Sequence, residues 1–251
     1  MSPKPKVLVA MSGGVDSSVA AALLLKQGYD VTGMFAVNYQ ASLSELRLTS
    51  SKDEFTGRSP EGAETCWVPD YRDALRVAAK LGVKLIRLDF RREYKRLVLD
   101  YMFKEYRAGR TPNPDVMCNK FVKFGVWLDK AKKLGFDKLA TGHYAKIERK
   151  IERLKDSKIR LLSAKDENKD QTYFLHQLNQ KQLQHVLFPL ADYTKTEVRK
   201  LAKKFNLPTA DKEESMGICF IGEVPMREFL QTKIKTKRGK IIMSDGVVVG
   251  D

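Results

Sequence analysis

Short apolar runs alternate with amphipathic stretches along the first 141 residues of the chain. The apolar runs have the length and the β-branched and aromatic content of strands, at 7–11, 30–37, 83–90 and 137–141. An Ala/Leu-rich helix is predicted directly after the first run, and helical spacing recurs at 71–81, 93–106 and 121–134. Strands that alternate with helices predict an α/β fold, with helices on both faces of a parallel sheet and a ligand site at the carboxyl ends of its strands.

The pattern changes at Ala145. Two alternating segments, 145–153 and 158–165, predict an antiparallel pair of strands, and helices are predicted at 170–178, 195–205 and 225–230. A hairpin is predicted from 241–243 and 247–249. We therefore expect a nucleotide-binding and catalytic domain at 1–209 and the start of a small α+β domain at 210–251, which we expect to be truncated because the chain stops within the hairpin.

A polar stretch separates the second predicted strand from the next helix. It covers 38–69 and carries scattered Ser, Glu, Gly and Pro residues. A connection of this length is uncommon in a compact domain, so we predict a mobile loop or an insertion here.

The first predicted strand leads into the sequence SGGVDSS, at Ser12–Ser18, and then into a helix. Adjacent glycines let the backbone approach a ligand, and the free N–H groups and dipole of a helix N-terminus favour an anion. The loop lacks the Gly-Lys-Ser/Thr of a Walker A sequence and the G-x-G-x-x-G of dinucleotide-binding folds. A phosphate cradle is the favoured interpretation, and an ordinary tight turn is the alternative.

A second informative stretch is RTPNPDVMCNK, at 110–120. Its prolines stiffen the approach to a helix that we expect Asp115 to cap near Cys118. The helix dipole, Lys120 and Lys123 would then stabilise the Cys118 thiolate, which predicts a reactive thiol; a buried structural cysteine is the alternative.

The local sequence is less informative for the other two cysteines. Cys219 lies in an apolar ICFI segment, and Cys66 is next to Trp67, so local context favours a packing role for both. The odd number of cysteines and the absence of C-x-x-C spacing argue against a disulfide framework or a structural zinc site.

Charge and hydropathy narrow the class of protein. The 251 residues carry a formal charge of +15, which favours a polyanionic partner without excluding a merely basic surface. The sequence contains no apolar run long enough to span a bilayer, and the apolar segment near its N-terminus is too short for a signal peptide. A cytoplasmic location without membrane contact is the expectation.

Six motifs, taken in order, resemble the tRNA-specific 2-thiouridylase family: SGGVDSS, TPNPDVMCNKFVKFG, ATGHYA, KDQTYFL, FPLADYTKTEVR and MGICFIG. The resemblance covers nearly the whole chain. It implies a Rossmann-like adenine nucleotide alpha hydrolase fold, followed by a small central domain and a C-terminal β-barrel that we expect this sequence to lack. The implied reaction is ATP-dependent 2-thiolation of the wobble uridine of tRNA, in which the C2 oxygen is adenylated, pyrophosphate is released and persulfide sulfur replaces the oxygen.

The resemblance also implies roles for individual residues. Cys118 matches the family's nucleophile, Cys219 the cysteine that receives a persulfide from a sulfur-relay protein or cysteine desulfurase, and Asp115 a proton donor or acceptor. A disulfide between the two cysteines, later reduced, would regenerate the enzyme.

The positions implied to bind ATP, with Asp16 helping to place Mg²⁺, are Ala10, Met11, Ser12, Gly13, Gly14, Val15, Asp16, Ser17, Ala36 and Gly142. Ala36 stands where the family usually has Met. The positions implied to contact tRNA are Asn113, Pro114, Asp115, His143, Lys169, Asp170 and Gln171; His143 equally suits a structural role.

Three alternatives remain open at the level of sequence. The chain could be another pyrophosphate-loop enzyme that adenylates a small molecule, although the cysteine pair and the positive charge argue against this. It could also be a non-catalytic RNA-binding fragment. Finally, the three cysteines could hold an iron–sulfur cluster with an open position, which iron analysis of anaerobically prepared protein would reveal.

Overall fold

The structure is a computed structural model of the chain, and it describes residues 4–40, 67–149, 159–214, 219, 221, 226–235 and 239–250. Residues 41–66 of the loop or insertion predicted at 38–69, which include Cys66, and the predicted turn at 155–157 lie outside these residues.

A parallel sheet of five strands forms the centre of the fold, in the order β3-β2-β1-β4-β7. The strands are β1 Lys6–Ala10, β2 Asp30–Val37, β3 Lys84–Asp89, β4 Lys138–Ala140 and β7 Val186–Leu187. The chain builds outward from β1 to β3 and then returns to place β4 on the other side of β1. Such a reversal opens a crevice at the carboxyl ends of the two strands on either side of it, here β1 and β4.

One face of the sheet is covered by three helices: α1 Val15–Lys26, α2 Val68–Leu81 and α7 Lys195–Lys204. Val7 and Val9 of β1 point to this face and pack with Val19 of α1 and Val198 of α7 in a core whose members are fully buried. Successive residues of a strand point to opposite faces, so the intervening Leu8 belongs to the second core. The apolar character of every β1 position from Val7 to Val9 follows from burial on both sides.

Two long helices cover the other face, and each contains a π-helical stretch. Helix α3 covers 91–107 as Arg91–Tyr94, the π-helical Lys95–Leu99 and Asp100–Arg107. Helix α4 covers 114–133 as Pro114–Met117, the π-helical Cys118–Trp127 and Leu128–Lys133. Long π-helical stretches are rare and often occur at functional sites.

The start of α4 corrects two predictions. The helix begins at Pro114, seven residues before the predicted start at 121, and its N-cap is Asn113 rather than Asp115. Asn113 Oδ1 accepts hydrogen bonds from the backbone N–H groups of Asp115 and Val116, both at 3.1 Å. Pro114 occupies the first helical position, where its missing N–H costs nothing. The rigid Asn-Pro entry thus starts the helix early and leaves the Asp115 carboxylate free for other partners.

The remaining described elements are shorter. Strands β5 Lys146–Arg149 and β6 Ile159–Leu162 form the predicted antiparallel pair, and β8 Ile241–Ile242 and β9 Val248–Gly250 form the predicted hairpin. The helix predicted at 170–178 was wrong in its length, because only Thr172–Leu175 (α5) is helical and a new capping box at Asn179 starts α6, Gln180–Leu183. Helix α8, Met226–Gln231, seats Phe229 in the second core.

The division into domains at residue 209 stays a prediction. Across the described ranges, the structure contains no helix with the length and apolar content needed to cross a bilayer.

Candidate functional site

The loop between β1 and α1 adopts the compact turn that its glycines predict. Gly13 has φ +79°, and a Cβ at this position would lie 2.3 Å from the backbone oxygen of Asp70. The Ser17 hydroxyl donates to the Gly14 carbonyl oxygen at 3.1 Å and accepts from the Ser12 backbone N–H at 3.2 Å. The loop is therefore held by its own hydroxyls, with its backbone at the N-terminus of α1, where an anion is favoured.

Gly142 brings the end of β4 against this loop. A Cβ on Gly142 would lie 2.9 Å from the backbone C of Asp16 and the backbone N of Ser17. Only a glycine fits such a close backbone approach. The residue after β4 is thus in direct contact with the first turn of α1.

The Asp16 side chain is bonded by two residues from distant parts of the chain. Its Oδ1 accepts hydrogen bonds from the Tyr144 hydroxyl at 2.9 Å and from Lys195 Nζ at 2.7 Å, and Lys195 Nζ also lies 2.8 Å from Oδ2. Lys195 Nζ is 3.3 Å from Glu214 as well. The Lys195 side chain is only 13% exposed, so this ion pair is shielded from solvent.

Sequence reasoning missed Lys195 and Tyr144. Lys195 is the first residue of α7, directly after the Thr194 N-cap of a capping box with Glu197. A lysine at the positive end of a helix dipole is unfavourable unless a nearby anion compensates for it. The position of Lys195 at the start of a predicted helix therefore indicates a nearby anion, but only the tertiary structure identifies that anion as Asp16.

Cys219 is held at the start of α4. Its backbone N–H donates to Asp115 Oδ1 at 3.2 Å, and its carbonyl oxygen accepts from the Tyr94 hydroxyl at 2.6 Å. Cys118 is buried and Cys219 is half-buried, and both are free thiols. The structure therefore brings together two cysteines that are 101 positions apart in the sequence.

The two thiols share a hydrogen bond and differ in acidity. The hydrogen bond from Cys118, together with the Lys123 ammonium, lowers the pKa of Cys219 to about 7 against the effect of burial. Burial, followed by the hydrogen bond to Cys219, raises the pKa of Cys118 well above its usual value. The predicted stabilisation of the Cys118 thiolate is therefore not what its surroundings produce. Burial of the thiol outweighs the helix dipole and the Lys123 ammonium, and the pKa of Cys118 rises.

A cavity of about 520 Å³ is lined both by the loop and by Cys219, whereas Cys118, the hydrogen-bond partner of Cys219, is buried and is not among the lining residues. Pockets of this size accommodate nucleotide-sized ligands. The lining residues come from the carboxyl ends of β1, β2 and β4, from the first turn of α1, from several turns of α4 and from the segments at 67–70, 171–174, 219 and 221. Those that bear on the argument are Ala10, Met11, Ser12, Asp16, Ser17, Ala36, Asp115, Lys123, Gly142, His143, Gln171 and Cys219.

The residues expected to contact tRNA divide into two sets. His143 and Gln171 line the cavity, whereas Lys169 and Asp170 are not among the lining residues. Burial lowers the pKa of His143 well below its usual value, and its Nδ1 lies 2.7 Å from the Thr141 hydroxyl, so the ring is neutral at pH 7. Gln171 Oε1 accepts from the Tyr144 N–H at 3.0 Å.

Lys169 and Asp170 have structural partners. Lys169 forms an ion pair with Glu214 at 2.5 Å, and Asp170 Oδ1 accepts from the backbone N–H of Ala164 at 2.9 Å. Asn113 is occupied as the cap of α4. Their roles toward RNA therefore stay predictions.

These features define a class of protein. A parallel α/β sheet, a glycine-serine loop at its crevice and an aspartate beside that loop are the architecture of the pyrophosphate-loop nucleotide-binding enzymes. The chain belongs to the family described as the tRNA methyl transferase HUP domain, whose family model matches residues 5–223. The resemblance to the tRNA-specific 2-thiouridylases is confirmed by its relatives.

Proteins named tRNA-specific 2-thiouridylase MnmA are similar along nearly the whole chain. The protein of Alkaliphilus oremlandii is 48% identical over 245 residues, which are 98% of this chain and 61% of that protein. The protein of Streptococcus mutans is 46% identical over 248 residues, which are 99% of this chain and 61% of that protein. The chain thus spans about three fifths of the length of these relatives.

One solved structure supports the fold. A 4-thiouridine synthetase in complex with RNA and ATP matches with a TM-score of 0.51 at 16% identity, over 91% of this chain and 50% of that chain. At this identity the match confirms the Rossmann-like nucleotide hydrolase fold.

Proposed function

We propose that the chain carries the catalytic core of an ATP-dependent tRNA uridine 2-sulfurtransferase. The observation that carries the proposal is the single cavity that has the glycine-serine loop at one end and the thiol of Cys219 at the other. Activation of an oxygen and delivery of sulfur can then occur on one bound base. Relatives named tRNA-specific 2-thiouridylase support the same reaction.

The loop end of the cavity would hold ATP. The backbone N–H groups at the start of α1 would face the phosphates, and Ala36, near the carboxyl end of β2 next to β1, would contact the adenine. Because Ala36 presents its backbone as well as a methyl group, the replacement of the family's usual Met is compatible with a main-chain contact. ATP supplies the AMP group that converts the C2 oxygen of uridine into a leaving group.

The Asp16 carboxylate fits the oxygen ligand that Mg²⁺ prefers. Both of its oxygens are bonded by Lys195 or Tyr144, so a metal carried by the nucleotide would take one oxygen from Lys195. Mg²⁺ would neutralise charge on the phosphates. Among the described residues no cluster of three or more acidic, His or Cys side chains forms a separate metal centre.

The cysteine end would deliver the sulfur. The terminal sulfur of a Cys219 persulfide bonds to C2 of the base as AMP leaves with the former C2 oxygen. Cys118 then attacks the Cys219 sulfur as its thiol proton passes to the departing thiolated base, which breaks the persulfide bond, leaves the sulfur on the base and forms a Cys118–Cys219 disulfide. An external thiol reductant restores both thiols. Asp115, whose carboxylate accepts a hydrogen bond from the Cys219 backbone N–H, would act as proton donor or acceptor for the base.

The target base must leave its stack to enter a cavity of this kind. The formal charge of +15 supports a polyanionic substrate that supplies such a base. The sulfur donor would be a relay protein or a cysteine desulfurase, and we expect the enzyme to work in the cytoplasm.

The decisive experiment incubates the chain with tRNA, ATP, Mg²⁺ and a cysteine desulfurase supplied with cysteine. Thiolated nucleoside is measured by mass spectrometry and by mercury-gel shift. We expect thiolation that is lost in Cys118→Ala, Cys219→Ala and Asp16→Ala and retained in the matched variant Cys66→Ala.

Other outcomes would contradict the proposal. Thiolation by Cys219→Ala would refute the persulfide role, and loss in Cys66→Ala together with bound iron would favour a cluster enzyme. ATP–pyrophosphate exchange on a small substrate without thiolation of tRNA would identify a different adenylating enzyme. RNA binding without either activity would identify a non-catalytic fragment.

A further inference from the structure

Both backbone polar groups of Cys219 are bonded by side chains from distant parts of the chain. The Tyr94 hydroxyl donates to the carbonyl oxygen at 2.6 Å, across 125 positions of sequence. The Cys219 N–H donates to Asp115 Oδ1 at 3.2 Å, across 104 positions. Tyr94 comes from α3 and Asp115 from α4, so the residue is held from two separate helices.

The helical side of this contact is rigid. Tyr94 is completely buried, at 0% exposure, in the second core, with Cys118 in the same cluster. A buried phenol hydroxyl needs a hydrogen-bond partner, and the Tyr94 hydroxyl donates to the Cys219 carbonyl oxygen. Because the ring is fixed by packing, the position of its hydroxyl is fixed before any substrate binds.

The sulfur of Cys219 lies between two further groups. It shares a hydrogen bond with Cys118 and lies beside the Lys123 ammonium. A side chain on a short segment keeps such a position only when its backbone is fixed, since a misplacement of about 1 Å can cost about 100-fold in rate.

We propose that Tyr94 is a positioning residue that, together with Asp115, clamps the backbone of Cys219 and holds its sulfur beside Cys118. The role rests on the proposed function, because it matters for sulfur delivery and for the disulfide that follows. It is not needed for activation of the base by ATP. Tyr94 is not among the residues that line the cavity.

The first test measures how readily the two thiols form a disulfide. Wild type and Tyr94→Phe, both in a Cys66→Ala background, are equilibrated in buffers of reduced and oxidised dithiothreitol, and the Cys118–Cys219 disulfide is quantified by mass spectrometry. Formation of the protein disulfide is coupled to reduction of oxidised dithiothreitol. The equilibrium constant of this exchange reports the effective concentration of the Cys118 thiol at the Cys219 thiol. Loss of one hydrogen bond from the clamp should lower that constant about fivefold to tenfold. Tyr106→Phe, about 18 Å further along the axis of α3, is the matched control and should leave it unchanged.

The second test separates the clamp from the proposed reaction. With tRNA, Tyr94→Phe should release pyrophosphate from ATP at the wild-type rate but transfer sulfur about tenfold more slowly. An unchanged disulfide constant in Tyr94→Phe, or a wild-type protein that forms no such disulfide, would overturn the clamp. Absence of thiolation in wild type and in every variant would count against the proposed function. The disulfide constant would then test the clamp independently.

A measurement on wild type covers the case in which Tyr94→Phe fails to fold. Hydrogen–deuterium exchange should show the Cys219 amide protected by its bond to Asp115. Exchange of this amide at the rate of an unstructured chain would contradict the clamp.

Discussion

Lys195 and Asp16 lie 179 positions apart and meet in a two-point ion pair, with Nζ–Oδ1 and Nζ–Oδ2 distances of 2.7 and 2.8 Å. The pair places a cation from α7 at the loop expected to receive the phosphates of ATP. Lys195 neutralises the Asp16 carboxylate, which would otherwise repel the nucleotide. A metal ion bound with ATP would take over that neutralisation.

Substitution of Lys195→Gln removes the charge while retaining a hydrogen-bond donor. We expect the Kd for ATP in EDTA to rise about tenfold, because the Asp16 charge is then uncompensated, and to change less in Mg²⁺. Isothermal titration calorimetry under the two conditions measures both effects. Lys200→Gln, an exposed lysine on the same helix, is the control. Equal weakening with and without Mg²⁺ would show that Lys195 does not exchange with a metal.

Gly142→Ala tests the contact between β4 and the loop. A Cβ would lie 2.9 Å from backbone atoms of Asp16 and Ser17, so the loop must shift. We expect a loss of about 1–3 kcal/mol in the free energy of unfolding, measured in urea, and loss of ATP binding. Gly239→Ala, where a Cβ meets nothing within 4 Å, should leave both unchanged. Normal ATP binding by Gly142→Ala would show that the cradle does not depend on this approach.

The acidity of Cys219 gives a prediction about pH. Its pKa is lowered to about 7, so its thiolate fraction and its rate of alkylation by iodoacetamide should rise with a midpoint near pH 7. Removal of the hydrogen bond in Cys118→Ala should move the midpoint to higher pH, and so should removal of the ammonium in Lys123→Gln. Mass spectrometry of the peptide that contains Cys219 follows the reaction. A midpoint near the ordinary cysteine pKa in wild type, unmoved in both variants, would show that neither group acts on the sulfur.

The sequence predicted the architecture because the signals for it are local. The strand β2 was predicted with the bounds that the structure shows, Asp30–Val37, and the SGGVDSS stretch forms the expected strand–turn–helix. Strand β7 was missed, since two residues, Val186 and Leu187, are too few to show an alternating pattern. Its place in the sheet comes from pairing with Leu139 and Ala140.

The chemistry of the site was harder to predict. The residues flanking Cys118 suggested an acidic thiol, but the structure buries it and makes Cys219 the more acidic of the two. Tyr94 lies in none of the quoted motifs, and Lys195 lies in FPLADYTKTEVR without a role that the motif reveals, because each acts on a residue more than 120 positions away. Long-range pairs of this kind become visible only when the fold is known.

The cap of α4 offers a last prediction, which separates a structural from a recognition role for Asn113. Its Oδ1 accepts two backbone N–H groups at 3.1 Å, so Asn113→Ala should lower the free energy of unfolding by about 1 kcal/mol. Asn113→Asp should keep nearly full stability, since aspartate caps equally well, and urea unfolding measures both. If Asn113 also contacts the target base through its amide N–H₂, which aspartate lacks, the Asp variant should still raise KM for tRNA. An Asp variant with unchanged stability and unchanged KM would assign Asn113 to the cap alone.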